Sequence, residues 1–149
     1  MTLVKVCGIT NAGDARVAAG AGADAIGFIF AESPRRVGVE EARRISGTLP
    51  EDTIRVGVFV DEGPAEVSRV SLEVGLDLAQ LHGDETPETV TALREAGVKV
   101  MKALRVESAA TLEGLDEYEA DLFLLDAYSE KARDGRAVRL GAGENGEGA

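Results

Sequence analysis

Gly22-Ala23-Asp24-Ala25-Ile26-Gly27-Phe28-Ile29-Phe30 is the stretch that decides the fold of this chain. From Ala25 onward it is apolar without alternation, and a strand that is apolar on both faces belongs to a parallel sheet covered by helices. The lead-in has its own physical sense. A glycine ends the preceding helix in a left-handed conformation, the next apolar residue turns inward, and the polar one faces water before the strand begins. The same lead-in returns as Gly75-Leu76-Asp77-Leu78 and Glu119-Ala120-Asp121-Leu122, with Gly97-Val98-Lys99-Val100 as a variant. Such recurrence predicts several βα units in series.

Working outward, apolar runs that read as strands begin near Leu3, Ala25, Arg55, Leu78, Val98 and Leu122, each short and rich in Val, Ile, Leu or Phe. Between them, Val39, Ala42, Ile45 and Leu49, and then Val67, Val70 and Val74, recur at helical spacing and predict one-sided helices. Thr86 before Pro87 and Glu88 supplies a capping hydroxyl, a preset φ and an acid at one helix start, and Gly97 closes that helix. Periodicity alone leaves an open doubly wound sheet and a closed eight-stranded barrel as equal options. The tail from Asp134 to Ala149, rich in Gly, Arg and Glu with no apolar period, reads as disordered.

The chain has 149 residues, 44% apolar and 29% charged, which suits one ordinary domain. A formal charge of -11 argues against nucleic acid and anionic membrane as partners, although local amides can still hold a phosphorylated substrate. No segment approaches the length of a membrane span and no basic, then apolar, leader opens the chain, so a cytoplasmic protein is the simplest reading. One cysteine excludes an internal disulfide.

Chemistry in parallel α/β architectures collects at the carboxyl ends of the strands. Cys7 ends the first apolar run and Asp126 the last. Cys7 reads either as a small buried hydrophobe or as a working thiol, with Gly8 turning the chain out of the strand and Thr10 or Asn11 capping the next helix. Asp126 reads either as a loop or capping residue or as an acid able to keep its proton when partly enclosed. Arg36, after Ser33-Pro34-Arg35, offers a planar fork to a carboxylate; Arg35 reads better as a solvated charge. His82, the single histidine, follows Gln80-Leu81 and is either a proton shuttle or a hydrogen-bonded loop residue. A metal site is disfavoured for want of a second histidine and a nearby cysteine; no Gly-x-Gly-x-x-Gly follows the first strand and no Gly-Lys-Ser/Thr loop occurs, so nucleotide cradles of those types lack support.

Taken together, Val4-Lys5-Val6-Cys7-Gly8-Ile9-Thr10-Asn11, Gly22 to Phe30, Ser33-Pro34-Arg35-Arg36, Arg55-Val56-Gly57-Val58-Phe59-Val60, Gln80-Leu81-His82-Gly83 and Leu124-Leu125-Asp126 resemble phosphoribosylanthranilate isomerases, (β/α)8-barrel enzymes of tryptophan biosynthesis. The likeness runs from Val4 to about Arg133. It implies an Amadori rearrangement of N-(5'-phosphoribosyl)anthranilate, an aldose-ketose isomerisation that uses no cofactor. By the same resemblance Cys7 is the general base, Asp126 the general acid and Arg36 a contact to the anthranilate part, with His82 and Gln80 also binding substrate. The implied partner is a small phosphorylated sugar-anthranilate.

The fold expected is therefore a parallel (β/α)8 TIM-barrel, here an incomplete one of about six βα units within residues 1–133, followed by a tail over 134–149. Asp134 to Gly141 can be back-translated so that reading one base later gives Thr-Gly-Gly-Pro-Phe-Asp-Trp, a run the family uses, so a frameshift would account for the tail. Unpaired first and last strands would favour a homo-oligomer or association through the open barrel edges. The alternative to an isomerase is an inactive truncated barrel, or a non-catalytic module needing a second chain to supply the last strands.

Overall fold

The computed structural model describes residues 2–127. Within them β1 (Lys5–Cys7), α1 (Ala12–Gly20), β2 (Ala25–Ile29), α2 (Val39–Thr48), β3 (Ile54–Phe59), α3 (Pro64–Val74), β4 (Leu78–Leu81), α4 (Pro87–Glu95), β5 (Val100–Val106), α5 (Ala109–Glu113) and β6 (Leu122–Ala127) follow one another, with a 3-10 turn at Gly114–Glu117. All strand pairs are parallel and their order is β1-β2-β3-β4-β5-β6. A doubly wound sheet reverses its order at a switch point, whereas each strand here pairs with the next in sequence. The architecture is thus a TIM-barrel-like half-barrel, and strand order decides what periodicity left open. The expected change of character at Arg133 and the tail lie outside the described residues.

Helices cover one face of the sheet. Ile26 and Phe28 of β2, Phe30 just beyond it, Phe59 of β3, Ala79 and Leu81 of β4 and Val100 of β5 pack there against Ala15, Ala42, Ile45, Val67, Val70, Val74, Val90 and Leu93 from α1 to α4. Phe30 and Phe59 stack with ring centroids 5.3 Å apart. The helical spacings expected from sequence fall on α2 and α3, with Leu49 buried just past the end of α2. Asn11 caps α1 by accepting from the Asp14 N–H, and Thr86 caps α4 by accepting from that of Thr89. Arg55 is a charged residue in an apolar strand for a definite reason. Its guanidinium donates to the carbonyls of Ser46 and Leu49 at the end of α2 and of Pro50 and Thr53 in the loop that follows, placing a cation at the helix C-terminus.

The recurrent lead-ins behave partly as expected. Gly22, Gly75 and Gly97 take φ of 98°, 77° and 86°, the left-handed region that ends each helix. The acid does more than face water. Asp24, Asp77 and Asp121 each accept a backbone N–H at the start of the preceding strand, from Val4 just before β1, Arg55 second in β3 and Val100 first in β5, all at 2.8 Å. Each also donates its own N–H to the carbonyl of that same residue, at 2.9, 2.8 and 2.9 Å. The carboxylate wins this place because the N–H points to where the next strand has not yet begun and so has no ladder partner there, and an anion is a strong acceptor for it.

Candidate active site

Side chains alternate along a strand, so the register assigns each one a face. Ile26 and Phe28 face the helices, which sends Ala25 and Gly27 to the opposite, interior face. Lys5 pairs with Ala25 and Cys7 with Gly27, so both share that face. The register then carries the same face through Val56 and Val58 of β3 to Gln80 of β4, onward to Met101 and Arg105 of β5, and to Asp126 of β6. Cys7 and Asp126 therefore stand on one face at the carboxyl end of the sheet, contributed by its two outermost strands among the described residues. Gly27 makes room for the thiol: a Cβ there would lie 2.8 Å from Cys7 Sγ.

A chain of hydrogen bonds crosses this interior face. Lys5 Nζ donates to Gln80 Oε1, Gln80 Nε2 lies 3.0 Å from His82 Nδ1, and His82 Nε2 lies 3.4 Å from Asp126 Oδ2. Three sequence-predicted residues, Gln80, His82 and Asp126, are thus brought together, and Lys5 joins them unannounced. Burial lowers the Lys5 pKa below the usual lysine value, against which a negative charge on Cys7 raises it. Lysine in the first strand was visible as a break in an apolar run, but only register shows that it points inward beside Cys7.

The two arginines of this loop differ in what they touch. Arg36 is exposed, donates its backbone N–H to Ser33 and makes no side-chain hydrogen bond among the described residues. Arg35 is also exposed, yet it does not extend into solvent freely: its Nη1 donates to the carbonyl of Cys7 at 3.2 Å, and its side chain lies over Gly8. A second group that sequence did not single out sits behind the site, on the helix side. Lys102 of β5 and Glu85 are both buried and pair at 2.8 Å. Lys102 also donates to the Gly83 carbonyl at 2.7 Å, while Glu85 accepts the N–H groups of Gly83 and Asp61, both at 2.9 Å. Gly83, the residue after His82, is therefore gripped at its N–H and its carbonyl. Among the described residues no cluster of three His, Cys, Asp or Glu has the geometry of a metal site, and no helix is long and apolar enough to cross a membrane.

Comparison with known proteins places this arrangement. The family model for N-(5'-phosphoribosyl)anthranilate (PRA) isomerase matches residues 4–142. The N-(5'-phosphoribosyl)anthranilate isomerase of Rubrobacter xylanophilus is 64% identical over 132 residues, which are 87% of this chain and 64% of that protein. The crystal structure of phosphoribosyl anthranilate isomerase from Thermotoga maritima superposes with a TM-score of 0.82 at 41% identity, covering 88% of this chain and 64% of the other. A further solved isomerase, in complex with reduced 1-(o-carboxyphenylamino)-1-deoxyribulose 5-phosphate, gives a TM-score of 0.80 at 42% identity over 87% of this chain and 66% of its own. The chain thus spans about two thirds of the length of these relatives. Strand order and these likenesses agree, and the chain belongs to the phosphoribosylanthranilate isomerase family.

Proposed function

We propose that this chain isomerises N-(5'-phosphoribosyl)anthranilate to 1-(2-carboxyphenylamino)-1-deoxyribulose 5-phosphate, an internal oxidation-reduction in which C1 of the sugar is reduced as C2 is oxidised. Because both changes occur in one molecule, no external electron carrier is required. Asp126 gives a proton to the furanose ring oxygen as the C1–O bond breaks, and the nitrogen lone pair forms an iminium with C1. That cation acidifies the C2–H, whose proton passes to the Cys7 thiolate, and the resulting enolamine tautomerises to the ketone. A thiolate base and a carboxylic acid are the protonation states that the two steps use. Arg36 serves the anthranilate carboxylate from its loop, and Gln80 and His82 line the substrate's place. The catalytic unit is assigned to residues 1–133, in a cytoplasmic setting.

One observation carries this reading: register sets the single cysteine and Asp126 on the same face at the carboxyl end of the sheet, with His82 hydrogen-bonded to that acid. The test is an isomerase assay on the purified chain, monitored by loss of phosphoribosylanthranilate fluorescence. Turnover should be present in the parent and fall by at least roughly a hundredfold in kcat for Cys7→Ala and for Asp126→Ala, with a smaller change in KM. Arg36→Met should chiefly raise KM. Absence of turnover in the parent, or loss confined to KM in the first two variants, overturns the assignment.

A further inference from the structure

The ring of His82 stands between one amide and one carboxyl group, and its neutral form has a single N–H to give. Which nitrogen carries that proton is decided further along the hydrogen-bond chain. An ammonium has only donors, so the end of the Gln80 amide that meets Lys5 must be its oxygen, as it is. Gln80 is then left with Nε2, a donor, to offer His82 Nδ1 at 3.0 Å. Nδ1 must accept, so it bears no proton, and the N–H of the neutral ring lies at Nε2, 3.4 Å from Asp126 Oδ2.

We propose that Lys5 is a positioning residue which, through Gln80, holds His82 in its Nε2–H tautomer and so presents a donor, never a bare nitrogen, to Asp126. The contrast between the two tautomers shows what this achieves. With Nδ1 protonated instead, the lone pair of Nε2 would face Asp126 and capture the proton of its acid form, drawing it away from any acceptor in the interior. With Nε2 protonated, the ring orients the carboxyl group by donation and leaves the acid's own proton for the sugar oxygen. Gln80 on this view serves His82 more than the substrate. The inference rests on the proposed isomerase chemistry for its purpose, but on the hydrogen-bond chain alone for its geometry.

Because the chain has one histidine, its ring nitrogens are unambiguous in a long-range 1H–15N correlation spectrum of the labelled protein. At a pH where the spectrum itself shows the ring to be neutral, the parent should show a protonated Nε2 and a bare Nδ1, in excess of roughly tenfold over the other tautomer. Lys5→Met frees the Gln80 amide to turn over and should reduce that excess several-fold, with kcat falling more than KM rises; Lys5→Arg, which keeps a donor, should restore it. Gln80→Glu offers His82 only acceptor oxygens and should move the proton to Nδ1, which supplies a decisive variant if Lys5→Met does not fold. A parent ring protonated at Nδ1, or a tautomer unmoved by Gln80→Glu, overturns the proposal. If the tautomers shift as stated while the parent turns over no substrate, the positioning role stands and the isomerase reading falls. If turnover is present and the tautomer never moves, the reverse holds.

Discussion

Gly27 shows how little space the thiol of Cys7 has. An added Cβ would sit 2.8 Å from Sγ and 3.2 Å from the Cys7 Cα, and the second of these contacts is with backbone, so rotating the thiol away does not relieve it. Gly27→Ala must therefore ease β1 from β2 by a few tenths of an ångström as well as displace the sulfur. Overpacking of this kind costs about 1–3 kcal/mol, to be read from urea unfolding, and displacement of a base by an ångström lowers kcat by roughly tenfold to a hundredfold. Unchanged kcat in Gly27→Ala would mean that Cys7 can move without consequence. At this scale the sequence is legible where chemistry interrupts an apolar run at its end, as Cys7, His82 and Asp126 do. It is not legible where a polar residue lies inside one. Lys5 between Val4 and Val6 has the pattern of an alternating edge, and only its pairing with Ala25 turns it inward. Arg35 likewise found the Cys7 carbonyl because Gly8 has no side chain to keep the guanidinium away, which no local pattern encodes.

The elements themselves were legible from hydrophobic runs and caps, with small shifts such as β5 beginning at Val100 where the apolar run starts at Val98. Pairing order was not, because βα periodicity is the same whether consecutive strands are neighbours or not. The lead-in acids were read as solvated for the same reason, since their partner is the previous strand and lies 20 to 22 residues away in sequence. Each acid binds both polar groups of one residue, so it pins where the neighbouring strand starts and opposes slippage of the register. Asp77 does this between β3 and β4, in the middle of the sheet. Asp77→Ala should destabilise the protein by about 1–2 kcal/mol, measured as a lower urea midpoint with unchanged slope. Asp77→Asn keeps an acceptor and should recover about half of that loss. The carboxyl end lies at the far end of these strands, so kcat should not follow. An alanine variant as stable as the parent would show that water serves the Arg55 N–H equally well.

Across the whole molecule, one buried residue joins four successive units at the carboxyl rim. Glu85 accepts from Asp61 after β3, from Gly83 after β4 and from Lys102 of β5, and its carbonyl accepts from the Tyr118 hydroxyl in the approach to β6. A buried ion pair seldom adds stability relative to apolar residues of like volume, yet breaking one by removing a single partner costs about 3–5 kcal/mol. Its place is therefore better explained by the loops it gathers than by the energy it contributes. Space enforces the same arrangement, because a Cβ at Gly83 would fall 2.4 Å from Asp61 Oδ1. For Glu85, burial raises the pKa, but the Lys102 ammonium and the amides bonded to the carboxylate outweigh it and hold the group below its ordinary 4.5. A carboxyl depressed in the folded state takes up protons more readily when the chain unfolds. Its contribution is complete above the unfolded value and is lost as pH falls through the folded one. The parent's urea midpoint should therefore drop steeply below about pH 4.5. Glu85→Leu alone strands Lys102 and should cost about 3–5 kcal/mol at neutral pH. Combined with Lys102→Met, it should regain most of that stability and lose part of the acid sensitivity, so the difference between parent and double variant narrows or reverses between about pH 6 and pH 3. A difference independent of pH across that range would show that Glu85 is not among the carboxylates whose protonation opens the fold.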